Sequence, residues 1–256
     1  RGEIQSAAMM MPCPWANEMC DWYQQHPDYD IGLHLALTSE WKWYRWGPVA
    51  PREEVPGLLD KEGYLWRDVP PVTVNATPAM VEKEIRAQIA RAHERGVKPS
   101  HIDTHMGTLY ARAEFTAAYL KVSQETNIPA MVIEPTPRVI EKFKAQGYPF
   151  NEELVRLLRE HTLPKLDDFH SVESAPTYDE KRAKFFQLIS DMQPGINEVI
   201  FHPSVLTEGL KKITGSWQQR AWESEMFGDP EVKKFLEREG VLFTNWKEMM
   251  KRHAAH

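Results

Sequence analysis

The chain has 256 residues, with 31 Lys and Arg against 37 Asp and Glu and a formal net charge of −6. This length can close one large core, and we expect a single domain over residues 1–256. The mild acidic excess argues against nucleic acid or an anionic membrane as a partner. No apolar run approaches the roughly 20 residues that cross a bilayer. Two cysteines, Cys13 and Cys20, are too few for a disulfide scaffold.

The first part of the chain predicts a β-α-β unit followed by a long insertion. Arg1 and Gly2 are typical of a helix end, with Gly in the left-handed position, so we expect further chain before Arg1. Residues 38–77 are irregular, rich in Pro, Gly and Trp, and long enough to predict a functional insertion. The predicted elements are a strand at 4–11, a helix at 15–25 and a strand at 30–37.

Strands and helices continue to alternate along the rest of the chain. A helix is predicted at 78–95, because Thr77 can cap it, Pro78 suits its first turn and Gly96 can end it. This alternation predicts an α/β fold with a parallel sheet, open or closed into a barrel. The later elements are a strand at 100–105, a helix at 111–127, a strand at 130–134, helical pieces at 137–161 within a second insertion near 135–177, a helix at 178–192, a strand at 197–201, a helix at 229–239 and a strand at 241–244.

A His-x-Asp-x-His pattern carries the strongest local signal for chemistry. His101, Asp103 and His105 fall on one face of an extended segment, because side chains alternate along a strand. The alternative is a surface strand whose histidines pair with Asp for solubility. The turn at Met106 and Gly107 favours a functional site, since barrel enzymes mount catalytic groups where strands end.

Two further histidines belong to predicted strands. His34 lies inside an apolar strand, where an unpaired polar ring is costly unless it is hydrogen-bonded or bound to metal. His202 ends the strand before Pro203. Taken alone, His34 is better interpreted as a satisfied core histidine, and the alternative for His202 is a capping or loop histidine. Together with 101–105 they form the set that a metal hydrolase requires, with imidazole ligands and one His to protonate a leaving group.

An aromatic cluster follows the strand of His34. Trp43 and Trp46 could stack on sugar rings, and with Met106 they are the candidate substrate-binding residues. The alternative, slightly favoured, is an insertion anchored by its own aromatic core or by an oligomer contact. Asp167 and Asp168 form a weak metal candidate, because neighbours on a chain point apart. The remaining histidines are expected at the surface: His93, His161, His170, His253 and His256.

These motifs resemble the YdjC-like carbohydrate deacetylase family, which includes chitooligosaccharide deacetylases and is related to the polysaccharide deacetylases. The resemblance is carried by Ser-Ala-Ala-Met-Met at 6–10, Gly-Leu-His-Leu-Ala-Leu-Thr at 32–38, Pro-Ser-His-Ile-Asp-Thr-His at 99–105 and Glu-Val-Ile-Phe-His-Pro at 198–203. The motifs occur in the family's order across most of the chain.

The resemblance implies a distorted (β/α) TIM-like barrel whose first strand is missing from this chain. It also implies a divalent metal, Mg²⁺ or Zn²⁺, held by His34, His105 and an Asp, with His101 as a further ligand or a neighbour of the ligands. Asp103 and His202 are the implied catalytic residues, and His202 would protonate or orient. The implied reaction is removal of an N-acetyl group from an amino sugar by metal-activated water.

One departure from the family pattern bears on activity. Family members begin with a strand that ends in an Ala-Asp-Asp-like motif, which supplies the third ligand and the general base, and this sequence has no equivalent. Either the chain is a fragment, which the Arg1-Gly2 end favours, or the acid pair is lost and metal binds weakly or not at all. The resemblance leaves localisation open, because a signal for export would precede Arg1.

Two other functions remain open at this point. One is a catalytically inactive carbohydrate-binding module on the same fold, and the other is a metal hydrolase that acts on a different ester or amide. The expected partner is an N-acetylated carbohydrate, with no nucleic acid and no membrane, and a homodimer is left open.

Overall fold

The structure, a computed structural model, describes residues 4–255, and it divides them into two units. The larger unit consists of residues 6–41, 45–165 and 245–255, and the smaller unit consists of residues 4–5, 42–44 and 166–244. The single-domain assignment over 1–256 stays a prediction, and the predicted helix end at Arg1-Gly2 lies outside the described residues.

A parallel three-stranded sheet organises the larger unit. Its strands are β1 (Ala7–Met9), β2 (Ile31–Leu35) and β3 (Ile102–Thr104), in the order β1-β2-β3. Leu33 of β2 pairs with Ile102 of β3, and both side chains are fully buried. A single parallel bridge from Ile102 to Ala130 extends this sheet. The core of the unit therefore follows the apolar side chains of β2 and β3.

Helices connect the strands and follow them. In the described residues they are α1 (Ala16–Gln25), α2 (Val69–Asn75), α3 (Pro78–Glu94), α4 (Ala113–Thr126), α5 (Pro137–Ala145), α6 (Glu152–Glu160), α7 (Tyr178–Asp191), α8 (Glu208–Ile213), α9 (Trp217–Met226), α10 (Pro230–Arg238) and α11 (Trp246–His253).

The ends of α3 agree with the sequence signals. Thr77 Oγ1 accepts a hydrogen bond from Met80 N, Pro78 occupies the first turn, and Gly96 follows with φ +76°. The helix packs its buried face, which includes Val81 and Ile85, near α4. The predicted helices at 15–25, 78–95, 111–127, 178–192 and 229–239 and the helical pieces within 137–161 are confirmed.

The smaller unit contains a two-stranded parallel sheet of β4 (Asp168–Ser171) and β5 (Asn197–Ile200). Phe185, Met226 and Val232 form its buried core. A buried ion pair joins Lys181 Nζ to Glu223 at 3.0 Å. This pair links α7 to α9 within the apolar surroundings.

Two predicted strands are wrong. Residues 130–134 make single bridges instead of a ladder. Residues 241–244 form no strand, and Leu242 is 93% exposed, because no neighbouring strand covers this apolar segment in the described part of the chain. The predicted strands at 4–11, 30–37, 100–105 and 197–201 are confirmed in shorter form.

The fold class is confirmed as α/β with parallel sheets. The closure of these strands into a distorted barrel stays a prediction. Across residues 4–255, no helix combines the length and the apolar character needed to span a bilayer.

Candidate functional site

The register between β2 and β3 places His34 beside Asp103. His34 Nδ1 lies 2.6 Å from Asp103 Oδ1, and both side chains are largely buried. Burial alone would raise the pKa of the Asp103 carboxyl, but the charge and the hydrogen bond of His34 outweigh it and hold this pKa below its usual value. An ionised Asp103 accepts a hydrogen bond from Nδ1–H of His34. In the neutral imidazole, the lone pair is then on Nε2.

His105 follows β3 directly and meets His34 at the carboxyl end of the sheet. His105 Nδ1 lies 3.2 Å from His34 Nε2, and the ring planes are inclined by 72°. The backbone then turns sharply, with φ +53° at Met106 and +65° at Gly107. A Cβ at Gly107 would lie 3.1 Å from the Tyr148 hydroxyl oxygen, so this turn has little room for a side chain there.

Glu40 completes the cluster, and sequence reasoning missed it. Its Oε2 lies 2.8 Å from Nε2 of His105. Glu40 belongs to the insertion at 38–77, six residues after His34. An acidic residue in the loop after a His-bearing strand is the signal that could have identified it, although such a signal does not indicate which histidine it contacts.

The four side chains form one chain of contacts, Asp103–His34–His105–Glu40. When each carboxylate accepts a hydrogen bond from the N–H of its neighbouring neutral imidazole, the lone pairs lie on the other two ring nitrogens. These are His34 Nε2 and His105 Nδ1, which face each other. Their spacing of 3.2 Å matches the distance of about 3.0–3.4 Å between adjacent ligand atoms on an ion with bonds of about 2.1 Å. The donor chemistry therefore fits a divalent cation on His34 and His105.

The described residues bring together two candidate ligands of such a site, His34 and His105. Residues 4–255 contain no group of three or more His, Cys, Asp or Glu side chains arranged to hold one ion. His34 and His105 thus stay candidate ligands, and a third protein ligand stays a prediction.

His101 lies at the other end of β3 from His105. Its Nδ1 is 3.0 Å from Ser100 Oγ, and its ring stacks on Trp246 with centroids 5.3 Å apart. The ring also covers Gly32, where a Cβ would lie 2.4 Å from His101 Cε1. His101 therefore packs against Ser100, Trp246 and Gly32, and it does not contact His34 or His105. Its assignment as a metal ligand gains no support from these contacts.

Asp30 organises the contacts around His101. Its Oδ1 accepts hydrogen bonds from Ser6 Oγ at 2.6 Å and Ser100 Oγ at 2.8 Å, and its Oδ2 accepts one from Lys247 N at 2.7 Å. Burial would raise its pKa, but the His101 imidazole, with Nδ1 3.6 Å from Oδ1, and these hydrogen bonds keep the pKa below its usual value. This network joins the amino ends of the three strands to α11, away from the ends where His34 and His105 meet.

His202 follows β5 in the smaller unit. Its backbone N–H donates to Glu223 Oε2 at 2.7 Å, which fixes the main chain at the end of the strand. Its predicted role in protonation beside His34 and His105 stays a prediction.

The predicted substrate-binding residues differ in exposure. Trp46 is only 3% exposed, and its indole N–H donates to the Thr38 carbonyl at 2.9 Å, so it anchors the insertion and offers no face to a sugar. Trp43 and Met106 are exposed. Met106 Sδ accepts a hydrogen bond from Thr38 Oγ1 at 3.4 Å, which holds it beside His105. The aromatic anchor is thus the better interpretation of Trp46.

The expectation that the remaining histidines lie at the surface is partly wrong. His93 and His253 are exposed, as predicted, and His256 lies outside the described residues. His161 is buried and His170 is half-buried. Of the weak acidic pair, Asp168 is buried and Asp167 exposed, so the two carboxylates do not act together. Cys13 and Cys20 are free thiols, as expected.

Comparison with known families gives a match over most of the chain. A family model described as YdjC-like protein matches residues 1–238. This range includes His34, Glu40, Asp103, His105 and His202.

Curated relatives and a solved structure give consistent matches. A carbohydrate deacetylase of Thermus thermophilus is 28% identical over 91% of this chain and 80% of its own length. A carbohydrate deacetylase of Thermoanaerobacter pseudethanolicus is 24% identical over 96% of this chain and 88% of its own. The crystal structure of a proposed cellobiose-phosphate cleavage protein from Enterococcus faecalis V583 superposes with a TM-score of 0.78 at 23% identity, covering 96% of this chain and 88% of that one, which is a likeness of fold.

Proposed function

Because the chain belongs to the YdjC-like protein family, we propose that it is a metal-dependent carbohydrate deacetylase that hydrolyses the N-acetyl group of an amino-sugar oligosaccharide or a related carbohydrate. The observation that carries this proposal is the approach of His34 Nε2 and His105 Nδ1 to 3.2 Å where two adjacent parallel strands end. The names of the curated relatives support the substrate class and the reaction. We extend the proposal to the architecture, a distorted (β/α) barrel.

His34 and His105 would hold the divalent ion, Mg²⁺ or Zn²⁺. When bound, such an ion supplies Lewis acidity at the acetyl carbonyl and lowers the pKa of water. Asp103 keeps the proton of His34 on Nδ1 and so directs the Nε2 lone pair toward the ion. Two neutral imidazoles leave the positive charge of the ion available to the substrate.

Hydrolysis requires a proton for the departing amine. Water adds its oxygen to the acetyl carbon, the C–N bond breaks, and one proton of the water ends on the sugar nitrogen. The acetic acid that forms releases its proton to solvent as acetate. The sequence motif at 198–203 names His202 for delivery of this proton, and that role stays a prediction. The exposed side chain of Met106, which follows His105 directly, would contact the sugar, and Trp43 stays a predicted sugar contact.

Acetate release tests the proposal. The complete gene product, with any residues encoded before Arg1, is incubated with Mg²⁺ or Zn²⁺ and N-acetylglucosamine oligomers. We expect acetate, and we expect His105→Ala to abolish its release, while His93→Ala, at an exposed histidine of the same unit, retains it. Absence of acetate from N-acetylated carbohydrates with either metal would refute the proposal.

A further inference from the structure

We propose that Glu40 is a positioning residue for His105, which fixes the ring's tautomer and thereby strengthens binding of a divalent cation by His34 and His105. The inference rests on the proposed metal site but names a residue in the insertion that the family motifs at 32–38 and 99–105 do not include.

The contact geometry is that of a carboxylate that orients a ligand histidine. Glu40 Oε2 lies 2.8 Å from His105 Nε2, and the opposite ring nitrogen, Nδ1, faces His34 Nε2 at 3.2 Å. The His105 side chain is 12% exposed and that of Glu40 is 29% exposed, so solvent competes little with this hydrogen bond at His105. Asp103 makes the matching contact to His34 at 2.6 Å. Each imidazole therefore has its own carboxylate.

Buried residues and hydrogen bonds fix the position of the loop that carries Glu40. Thr38 and Ser39 are fully buried, and Ser39 N donates to the Trp66 carbonyl at 2.7 Å. Ser39 Oγ accepts from Trp46 N at 2.9 Å, while the indole N–H of Trp46 donates to the Thr38 carbonyl at 2.9 Å. The two residues just before Glu40 are thus fixed by hydrogen bonds of both their main chain and the Ser39 side chain. The insertion, on this inference, serves the site by presenting one carboxylate.

The tautomer decides whether His105 can act as a ligand through Nδ1. A neutral imidazole carries its proton on one nitrogen and its lone pair on the other. With the proton on Nε2, held by Glu40, the lone pair lies on Nδ1, toward His34. Without an acceptor at Nε2, the proton also occupies Nδ1 and blocks the ligand atom. Loss of such a carboxylate partner typically lowers metal affinity by about 10- to 100-fold.

Zinc binding and NMR test the inference without substrate. Calorimetric titration with Zn²⁺ alone compares the wild type with Glu40→Ala and Glu40→Gln, and with Glu53→Gln as a control at an exposed carboxylate of the same insertion. We expect affinity about 10- to 100-fold lower for Glu40→Ala, a smaller loss for Glu40→Gln, whose amide oxygen still accepts a hydrogen bond, and no change for the control. Nitrogen-15 NMR of the metal-free protein at alkaline pH should find the proton of His105 on Nε2 in the wild type and on both nitrogens in Glu40→Ala.

These outcomes separate the inference from the proposed function. Unchanged tautomer populations in Glu40→Ala would overturn the inference, as would unchanged zinc affinity, even if the protein released acetate. Glu40-dependent zinc binding without acetate release would support the inference and refute deacetylation. If the wild type bound no zinc, the proposed metal site and the affinity claim would both fail.

Discussion

Asp103 and His34 are direct partners across β3 and β2, and their side chains meet at 2.6 Å between Oδ1 and Nδ1. Asp103→Asn removes the charge at nearly constant size. We expect a loss of about 10- to 100-fold in divalent-metal affinity, because a neutral amide orients His34 less strongly and lowers its basicity. Zinc titration measures the loss, and a thermal unfolding curve reports whether the fold is retained. Asp28→Asn, at an exposed aspartate of the same unit, is the control, and equal affinities of the two variants would contradict the assignment.

Gly32 has no room for a larger side chain because of the His101 ring. In Gly32→Ala the new Cβ would lie 2.4 Å from His101 Cε1, so the ring must leave its stack on Trp246. We expect a loss of about 1–3 kcal/mol in the free energy of unfolding, the range for overpacked cores. Urea unfolding compares it with Gly215→Ala, where the added Cβ meets no atom within 4 Å. Similar losses in both variants would show that the close approach to His101 is unimportant.

The strands that carry the candidate site were predictable because their signals are local. The apolar run around His34 and the alternation of His101, Asp103 and His105 specify extended segments, and parallel neighbours then place their carboxyl ends together. The start and end of α3 were predictable for the same reason, because the cap at Thr77 and the glycine at 96 are local signals. The sequence could not show that His101 faces the amino-end network, because that depends on Asp30 and Trp246 from distant segments.

The remaining differences have tertiary causes. Glu40 reaches His105 through a loop whose course depends on its contacts with Trp66 and Trp46, and no periodicity encodes such contacts. Residues 241–244 have a strand-like composition but lack a partner strand in the described structure. The helix α11 was missed, although Asn245 and Glu248 carry a capping signal, with Asn245 Oδ1 accepting from Glu248 N.

Glu84 contributes to the free energy of unfolding of the larger unit, and this contribution falls as pH rises. Its buried carboxyl accepts hydrogen bonds from Val49 N and Ala50 N, both at 2.9 Å, but burial raises its pKa from 4.5 to about 7. The folded state therefore binds more protons than the unfolded state between these values. Its contribution is fully present below pH 4.5 and is lost as pH rises through about 7.

Glu84→Gln tests this contribution, because glutamine does not titrate. The free energy of unfolding of the wild type minus that of Glu84→Gln should fall as pH rises from 4.5 to about 7, at up to about 1.4 kcal/mol per pH unit. Urea unfolding at a series of pH values measures it, with Glu62→Gln, an exposed carboxylate, as the control. A constant or rising difference would contradict the raised pKa.

His161 predicts the opposite pH dependence. It is 4% exposed, neither ring nitrogen has a hydrogen-bond partner, and burial, with the nearby Lys165, lowers its pKa from 6.5 to about 4. Between these values the unfolded state binds more protons, so the contribution of neutral His161 is complete above pH 6.5 and is lost as pH falls toward about 4.

His161→Leu removes this proton uptake and the cost of burying two unpaired nitrogens. We expect the variant to be about 1 kcal/mol or more stable than the wild type above pH 6.5, the scale of an unsatisfied buried polar group, and its advantage should grow as pH falls. Urea unfolding across this range measures both effects. His93→Leu, at an exposed histidine, should show neither. An advantage that is constant with pH would mean that His161 titrates normally in the folded protein, and a less stable variant would mean that its ring nitrogens have partners in solution.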